Sequence, residues 1–285
     1  MNWPTAAIVS VWRWRSHFHL DVSMQTDSAA QPLANRIALV TGGSRGIGRA
    51  ISMALAANGA IVAVNYAKDA ESAAETVASI RAAGGSAEAF GGNISTDEGC
   101  VEVAAAVRAK LGAPDIVVHN AGVASRGKNV ANTDAAEILR LVSTHALGPH
   151  MLSRELIPGM RERVSEVGRA DMIFISSVAT DHMAGFGAPY NMGKAAMEAL
   201  ALTLSKEEAR NGIRVNIVAP GLVVTDMGKR LIKATAGVDE ITSLDASYPF
   251  GRVTRPEDVA DVVLFFCQRP GILTGQRIGI DGGPR

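Results

Sequence analysis

Short apolar runs that alternate with Ala-rich stretches of helical period predict an α/β protein, with a seven-stranded parallel sheet doubly wound by helices on both faces. Three observations carry this reading. The runs are only four to six residues long and rich in Val and Ile, as strands buried on both faces should be. Segments long enough for a crossover helix separate them, and several of those segments stop at Gly or Asn, where helices commonly end. Strands are expected at residues 37–40, 60–65, 87–90, 116–119, 172–176, 214–218 and 277–280. Helices are expected at 48–58, 70–83, 97–111, 135–164, 190–211 and 256–269.

With 285 residues, 47% hydrophobic and 20% charged, the chain can bury a sizeable core. Lys plus Arg equal Asp plus Glu at 28 each, so no overall field draws in nucleic acid or an anionic membrane surface, and neither is an expected partner. Cys100 and Cys267 lie far apart, outside any C-x-x-C or Cys/His cluster, and read as buried structural thiols; no metal site is expected. No apolar run approaches the roughly 18 residues of a membrane-spanning helix, and a soluble cytoplasmic protein is expected.

Residues 1–35 differ from the remainder. They hold Trp3, Trp12 and Trp14 and show no sustained period, so they read as an N-terminal extension, expected to be poorly ordered, ahead of a single domain over 36–285. The apolar stretch 6–11 is short for a secretory core, and Arg13 and Arg15 follow it instead of preceding it. Met24 lies just upstream of the domain, so residues 1–23 also fit a start codon assigned too early.

Directly after the first strand comes Thr41-Gly42-Gly43-Ser44-Arg45-Gly46-Ile47-Gly48, with a helix following at once. A strand-to-helix turn that binds a pyrophosphate must fold back sharply, admit the phosphate to the backbone and pack the helix against the strand. Each demand favours a residue without Cβ, and Gly42, Gly46 and Gly48 fit those roles. The free N–H groups and partial positive charge of the helix N-terminus would then face the phosphates. The alternative is a merely tight βα turn.

A second cluster begins with Ser176-Ser177 and continues thirteen residues after Ser177 with Tyr190-Asn191-Met192-Gly193-Lys194. Four residues apart on a helix, Tyr190 and Lys194 share a face. A phenol titrates near pH ~10, too high for a base at neutrality. An ammonium about 5 Å away at an effective dielectric of about 20 is worth roughly 3 kcal/mol, or about two pKa units toward neutrality. Ser177, at the C-terminal end of a strand, is placed to hydrogen-bond a reacting oxygen. The alternative is a surface Tyr/Lys pair on an amphipathic helix.

Together these motifs resemble the short-chain dehydrogenase/reductase family, whose pattern is T-G-x-x-x-G-x-G followed by S…Y-x-x-x-K. The resemblance covers about residues 36–283, and implies a Rossmann fold and a nicotinamide dinucleotide cofactor. His119-Asn120-Ala121-Gly122 is similar to the family's N-A-G segment, and residues 216–225 to its P-G-x-x-x-T segment. By that resemblance Gly42, Ser44, Arg45, Gly46, Ile47 and Gly48 hold the phosphates, and Asn93 and Ile94 lie near the adenine. Asn120, Ala121 and Gly122 flank the cleft, and Pro220, Gly221, Val223 and Thr225 lie along the nicotinamide. Ser177, Tyr190 and Lys194 are the catalytic set, the last two also touching the cofactor. The family assembles through its long helices, so a homodimer or homotetramer is expected.

One position departs from the pattern. The family places an Asn within a phrase like N-x-x-G-P, where it anchors a water in the proton relay to the lysine, and here His145 takes that place in Thr144-His145-Ala146-Leu147-Gly148-Pro149. His145 either preserves the relay through its backbone carbonyl, joins it as a titrating group, or breaks it.

A free ribose 2′-hydroxyl is usually gripped by a carboxylate at the end of the second strand, and a 2′-phosphate by cations. Tyr66 occupies that position, and Arg45 and Lys68 are near enough to serve a phosphate, so NADPH is expected over NADH, with Asp69 a nearby competitor. Within the family the chain resembles 3-oxoacyl-(acyl-carrier-protein) reductases, through residues 41–48, the Asn65-Tyr66 strand end, Asn93-Ile94 and the closing Thr274-Gly275-Gln276-Arg277 and Asp281-Gly282-Gly283, which implies reduction of a carbonyl substrate. The alternatives are an alcohol, sugar or steroid dehydrogenase, or a catalytically weak dinucleotide-binding protein. Substrate contacts are expected from 178–189 and from 227–248, which resembles the family's lid. Met183, Phe186 and Leu222 suit an apolar pocket there, or simple packing of the lid.

Overall fold

A computed structural model describes residues 31–268 and 271–283. The expectations for residues 1–30 lie outside the described residues. Seven parallel strands form one sheet in the order β3-β2-β1-β4-β5-β6-β7. They are β1 (Ile37–Val40), β2 (Ile61–Tyr66), β3 (Ser86–Gly91), β4 (Ile116–His119), β5 (Ala170–Ile175), β6 (Ile213–Pro220) and β7 (Arg277–Ile280). Alternate side chains feed two cores. Ala38 and Val40 pack under α1 (Gly46–Ala57), α2 (Ala70–Ala82) and α9 (Pro256–Gln268), the helices of one face. Leu39 and Val117 pack under α3 (Asp97–Leu111), α5 (Gly148–Val167) and α7 (Ala188–Glu207) on the other. The expected doubly wound sheet is therefore present, and the strand order reverses between β1 and β4, where open α/β sheets leave a crevice at the strands' C-terminal ends.

The differences from expectation have physical causes. Strand β5 starts two residues before the expected 172, and β6 runs on to Pro220. Asp171 disguises the start of β5 as polar, yet it is buried and paired with the equally buried Arg214, whose Nε donates to Asp171 Oδ1 at 2.8 Å. Arg36 bonds Asp115 and reaches Asp171 Oδ2 at 3.0 Å, so this ionic cluster closes the edge of the sheet opposite the crevice. The helix expected over 135–164 is interrupted: α4 (Ala135–Val142) passes through a π turn, Ser143–Leu147, into α5. Pro149 explains the break, because it has no N–H to give to the His145 carbonyl four residues back and its ring crowds that carbonyl.

The segment expected only as a lid contains α8 (Asp226–Ala236), after a short α6 (Ala179–His182) that precedes α7. Ile232, Ile241, Tyr248 and Val253 give it a small core of its own, and Leu222 packs there, so Leu222 serves lid packing rather than an open pocket. Cys100 and Cys267 are buried and unbridged, and burial pushes both thiols up, Cys100 to about 12, as suits structural cysteines.

Packing also reaches back beyond Arg36. Leu33 is fully buried in the β1 core and its N–H donates to Asn58 O at 2.9 Å. The residues from Gln31 onward thus pack with the domain, although the sequence reading assigns them to the extension. Leu33→Ala is expected to destabilise by about 2–5 kcal/mol, seen as a lower urea midpoint with unchanged slope. A midpoint shift worth under about 0.5 kcal/mol would deny this residue a place in the core.

Candidate active site

The crevice is built from the ends of β1 and β4 outward. Thr41 closes β1, and its hydroxyl accepts from Asn120 N–H at 2.9 Å and Ala121 N–H at 3.0 Å while donating to Val118 O at 3.3 Å. Asn120 returns the tie, its amide donating to Thr41 O at 2.9 Å and Gly42 O at 3.1 Å. Gly42 sits at φ +60°, the left-handed region that bends the chain into α1. A Cβ on Gly48 would fall 2.1 Å from Gly42 O, so only glycine lets the helix approach the turn. Arg45, in the N-cap position of α1, supplies no side-chain cap, and no acid occupies the first turn. The N–H groups at that helix end are left to an anion, and the bare backbone beside them suits a pyrophosphate.

Ser44 is buried in the turn, its carbonyl accepting from Thr76 Oγ1 at 2.8 Å. Arg45 lies 3.9 Å from Asp69, and Lys68 is exposed at the same rim beside Tyr66. Asp69 is committed locally: its carboxylate accepts from Ser72 N–H at 3.0 Å and Ser72 Oγ at 2.8 Å, capping α2, and these bonds hold it below the usual carboxylate range. Asn65 donates to Phe90 O at 3.2 Å and Gly92 O at 3.1 Å and sets the path of the loop that carries Asn93 and Ile94. Asn93 is exposed and Ile94 is buried.

Across the crevice the chain past β6 leans over the glycine turn. Pro220 O accepts from Val178 N–H at 3.0 Å, Gly221 N–H donates to Ile280 O at 2.7 Å, and Val223 forms a parallel bridge to Thr254. Thr225 caps α8 by accepting from Gly228 N–H at 3.1 Å, and its methyl lies 3.2 Å from where a Gly46 Cβ would be.

Tyr190 and Lys194 stand one turn apart near the start of α7, and neither is a surface residue as the alternative would require. Lys194 is 3% exposed, and its Nζ donates to Ile175 O at 2.7 Å and lies 5.8 Å from the Tyr190 ring centre. Burial lowers Lys194 to about 7, with Glu198 working the other way. The phenol departs from expectation. Burial raises Tyr190 above the usual phenol range, and its hydrogen bond with Ser177 is the opposing influence. The downward pull expected from the ammonium loses because the phenol is dry and the cation is anchored on the Ile175 carbonyl. Ser177 also accepts from Ala179 N–H at 3.1 Å, which orients its hydroxyl.

His145 belongs to this cluster. Its ring meets Tyr190 edge-on at 5.2 Å, and its Nε2 lies 2.9 Å from Val123 O and 3.3 Å from Val123 N. Gly122 makes room for it, since a Cβ there would fall 2.8 Å from His145 Cε1. Burial and then the charge of Lys194 push the imidazole down to about 3, a direction that favours a neutral ring. The signal for its carbonyl was present in the sequence as Pro149, whose missing N–H leaves that carbonyl without its α-helical donor.

Beyond Ser177, Met183 (φ +46°) and Phe186 (φ +62°) take backbone conformations that side chains rarely adopt. Both are exposed and, with Val130, Asn191, Met192 and Ala195, line a cavity of about 450 Å³ between this loop and α7.

A glycine-rich turn at a helix N-terminus, together with a Ser/Tyr/Lys set whose lysine is buried, defines an oxidoreductase that uses a nicotinamide dinucleotide. Residues 42–284 match the family described as Enoyl-(Acyl carrier protein) reductase, and the chain belongs to the short-chain dehydrogenases/reductases. It is 33% identical to a 3-oxoacyl-[acyl-carrier-protein] reductase of Synechocystis, a match covering 88% of this chain and 97% of the relative. It is 34% identical to an acetoacetyl-CoA reductase of Rhizobium meliloti, covering 87% and 98%. A dehydrogenase/reductase crystal structure from Sinorhizobium meliloti superposes with a TM-score of 0.78 at 30% identity, covering 90% and 97%. Among the described residues no helix is long and apolar enough to cross a membrane.

Gly48→Ala is expected to cost about 1–3 kcal/mol of stability by overpacking, and to weaken dinucleotide binding at least tenfold by displacing the turn. Urea unfolding and fluorescence titration with NADPH read the two effects. Unchanged binding would mean that the dinucleotide does not rest on this turn.

Proposed function

We propose that this protein is an NADPH-dependent reductase of a carbonyl compound, with a 3-oxoacyl thioester as the substrate class. The observation that carries the reading is the half-buried Tyr190, its phenol hydrogen-bonded to Ser177 and one helical turn from the buried Lys194, at the rim of the glycine-turn crevice. Gly42, Ser44, Gly46, Ile47 and Gly48 hold the pyrophosphate, and Asn93, Ile94, Asn120, Ala121 and Gly122 line the adenosine and central parts of the cleft. Pro220, Gly221, Val223 and Thr225 flank the nicotinamide. When bound, the dinucleotide supplies the hydride.

The side chains supply the proton. Ser177 Oγ donates a hydrogen bond to the substrate oxygen and Tyr190 Oη delivers a proton to that oxygen as charge builds on it. The raised phenol fits this direction of reaction, because it remains protonated at neutral pH and ready to act as an acid. Lys194 stabilises the phenolate left behind. His145 takes part through its backbone carbonyl, where a water carrying a replacement proton can be held, rather than through its neutral ring.

Arg45 and Lys68 at the rim, no carboxylate at Tyr66, and Asp69 engaged in capping α2 support a 2′-phosphate on the cofactor. The thioester assignment leans on the two relatives whose names state such substrates. Assembly as a homodimer or homotetramer and a cytoplasmic location belong to the same reading.

The test is NADPH oxidation with acetoacetyl-CoA. Tyr190→Phe is expected to lower kcat by roughly 10²–10⁴-fold in folded protein. NADPH should be preferred over NADH by about tenfold or more, the worth of one charge-assisted hydrogen bond. Because Lys194 is charged below about 7 and neutral above it, kcat should fall as pH rises through neutrality. A Tyr190→Phe variant as fast as wild type sinks the proposal; equal use of both cofactors sinks the 2′-phosphate part alone.

A further inference from the structure

The end of β5 is gripped at three successive residues by side chains from α7 and β7. Lys194 takes the carbonyl of Ile175; Ser176 Oγ donates to Glu198 Oε1 at 2.6 Å; and Arg277 Nη2 donates to the carbonyl of Ser177 at 3.3 Å. Arg277 is the hub. Its Nε donates to Glu198 Oε1 at 3.0 Å, and its Nη2 also donates to Thr180 Oγ1 at 2.8 Å and Asp181 Oδ2 at 2.9 Å. Thr180 Oγ1 in turn lies 2.9 Å from Glu198 Oε1. One guanidinium and one carboxylate therefore join β7, α7, the β5 terminus and α6.

We propose that Glu198 and Arg277 are positioning residues that hold the Ser177 hydroxyl against Tyr190. The proposal rests on the reductase reading of the site. Ser177 lies past the last residue of β5, where the backbone keeps only the bonds of Ser176 N–H to Val218 O and Val178 N–H to Pro220 O before it turns into α6. Glu198 stands one turn beyond Lys194 on α7, so the helix that carries Tyr190 also fixes the segment carrying Ser177. The Glu198 and Arg277 side chains are 15% and 26% exposed, so the pair is partly withdrawn from water and its bonds are stronger than those of a surface pair. Within an otherwise apolar β7, an arginine aimed at four acceptors has no packing purpose that Leu or Met would not serve better.

The test uses the full-length protein with NADPH and acetoacetyl-CoA, comparing wild type with Arg277→Met, Arg277→Lys and Glu198→Gln. In Arg277→Met, amide hydrogen exchange at residues 178–181 is expected to rise about tenfold or more while β1 and β2 amides keep their wild-type rates. Its kcat should fall roughly ten- to a hundredfold with both KM values within about twofold, since misplacement of a catalytic group costs rate and not binding. Arg277→Lys, which keeps a cation beside Glu198, should recover most of the kcat. Exchange at 178–181 that stays at the wild-type rate, or kcat within about twofold of wild type in folded Arg277→Met, overturns the proposal. If that variant does not fold, Glu198→Gln is held to the same two readouts. Failure of the reductase reading is told apart, because it shows as Tyr190→Phe turning over like wild type, whereas the exchange measurement needs no turnover.

Discussion

An ammonium in a dry site is the constraint around which this protein is arranged. Lys194 has lost nearly all contact with water and retains one short bond to the carbonyl of Ile175, so the backbone at the end of β5 must stay where that bond requires. Everything in the cluster answers to that position. Tyr190 is one turn away on the same helix, His145 closes the far side of the phenol, and Gly122 is bare because the imidazole occupies the space its side chain would take. A group held in this way changes its proton affinity cheaply, which is the property that acid–base chemistry needs.

The second requirement is that this cluster face a cofactor crevice, and the sheet supplies it. The reversal of strand order at β1 and β4 opens a gap, and Thr41 and Asn120 tie the two strand ends across it with reciprocal bonds between hydroxyl, amide and backbone. Those ties fix the glycine turn to the end of β4, on the crevice side of the sheet. The loops that follow β5 and β6 are less regular, with strained backbone at Met183 and Phe186, and they are the natural place for substrate selectivity to reside.

Much of this was legible in the sequence, for identifiable reasons. Apolar runs buried on both faces announce parallel strands, so β1, β4 and β7 were delimited to the residue, while the start of β5 was missed because Asp171 reads as polar but is neutralised inside by Arg214. The spacing of Tyr190 and Lys194 placed both on one helical face. It did not reveal that Lys194 is buried and the phenol largely desolvated, and that desolvation reverses the expected direction for the phenol. The pairing of Glu198 with Arg277 escaped notice because it is a contact between residues 79 positions apart, which no local pattern records. The π turn at His145 was hidden by an unbroken helical period, although Pro149 carried the warning.

The most direct measurement is the titration of the Lys194 side chain itself, by nitrogen-15 NMR of lysine-labelled protein with Lys194→Met as the assignment control. A midpoint near 7, more than three units below the ordinary 10.5, is the predicted result. A midpoint near 10.5 would contradict the account, since the ammonium would then be hydrated and the site around Tyr190 open to water.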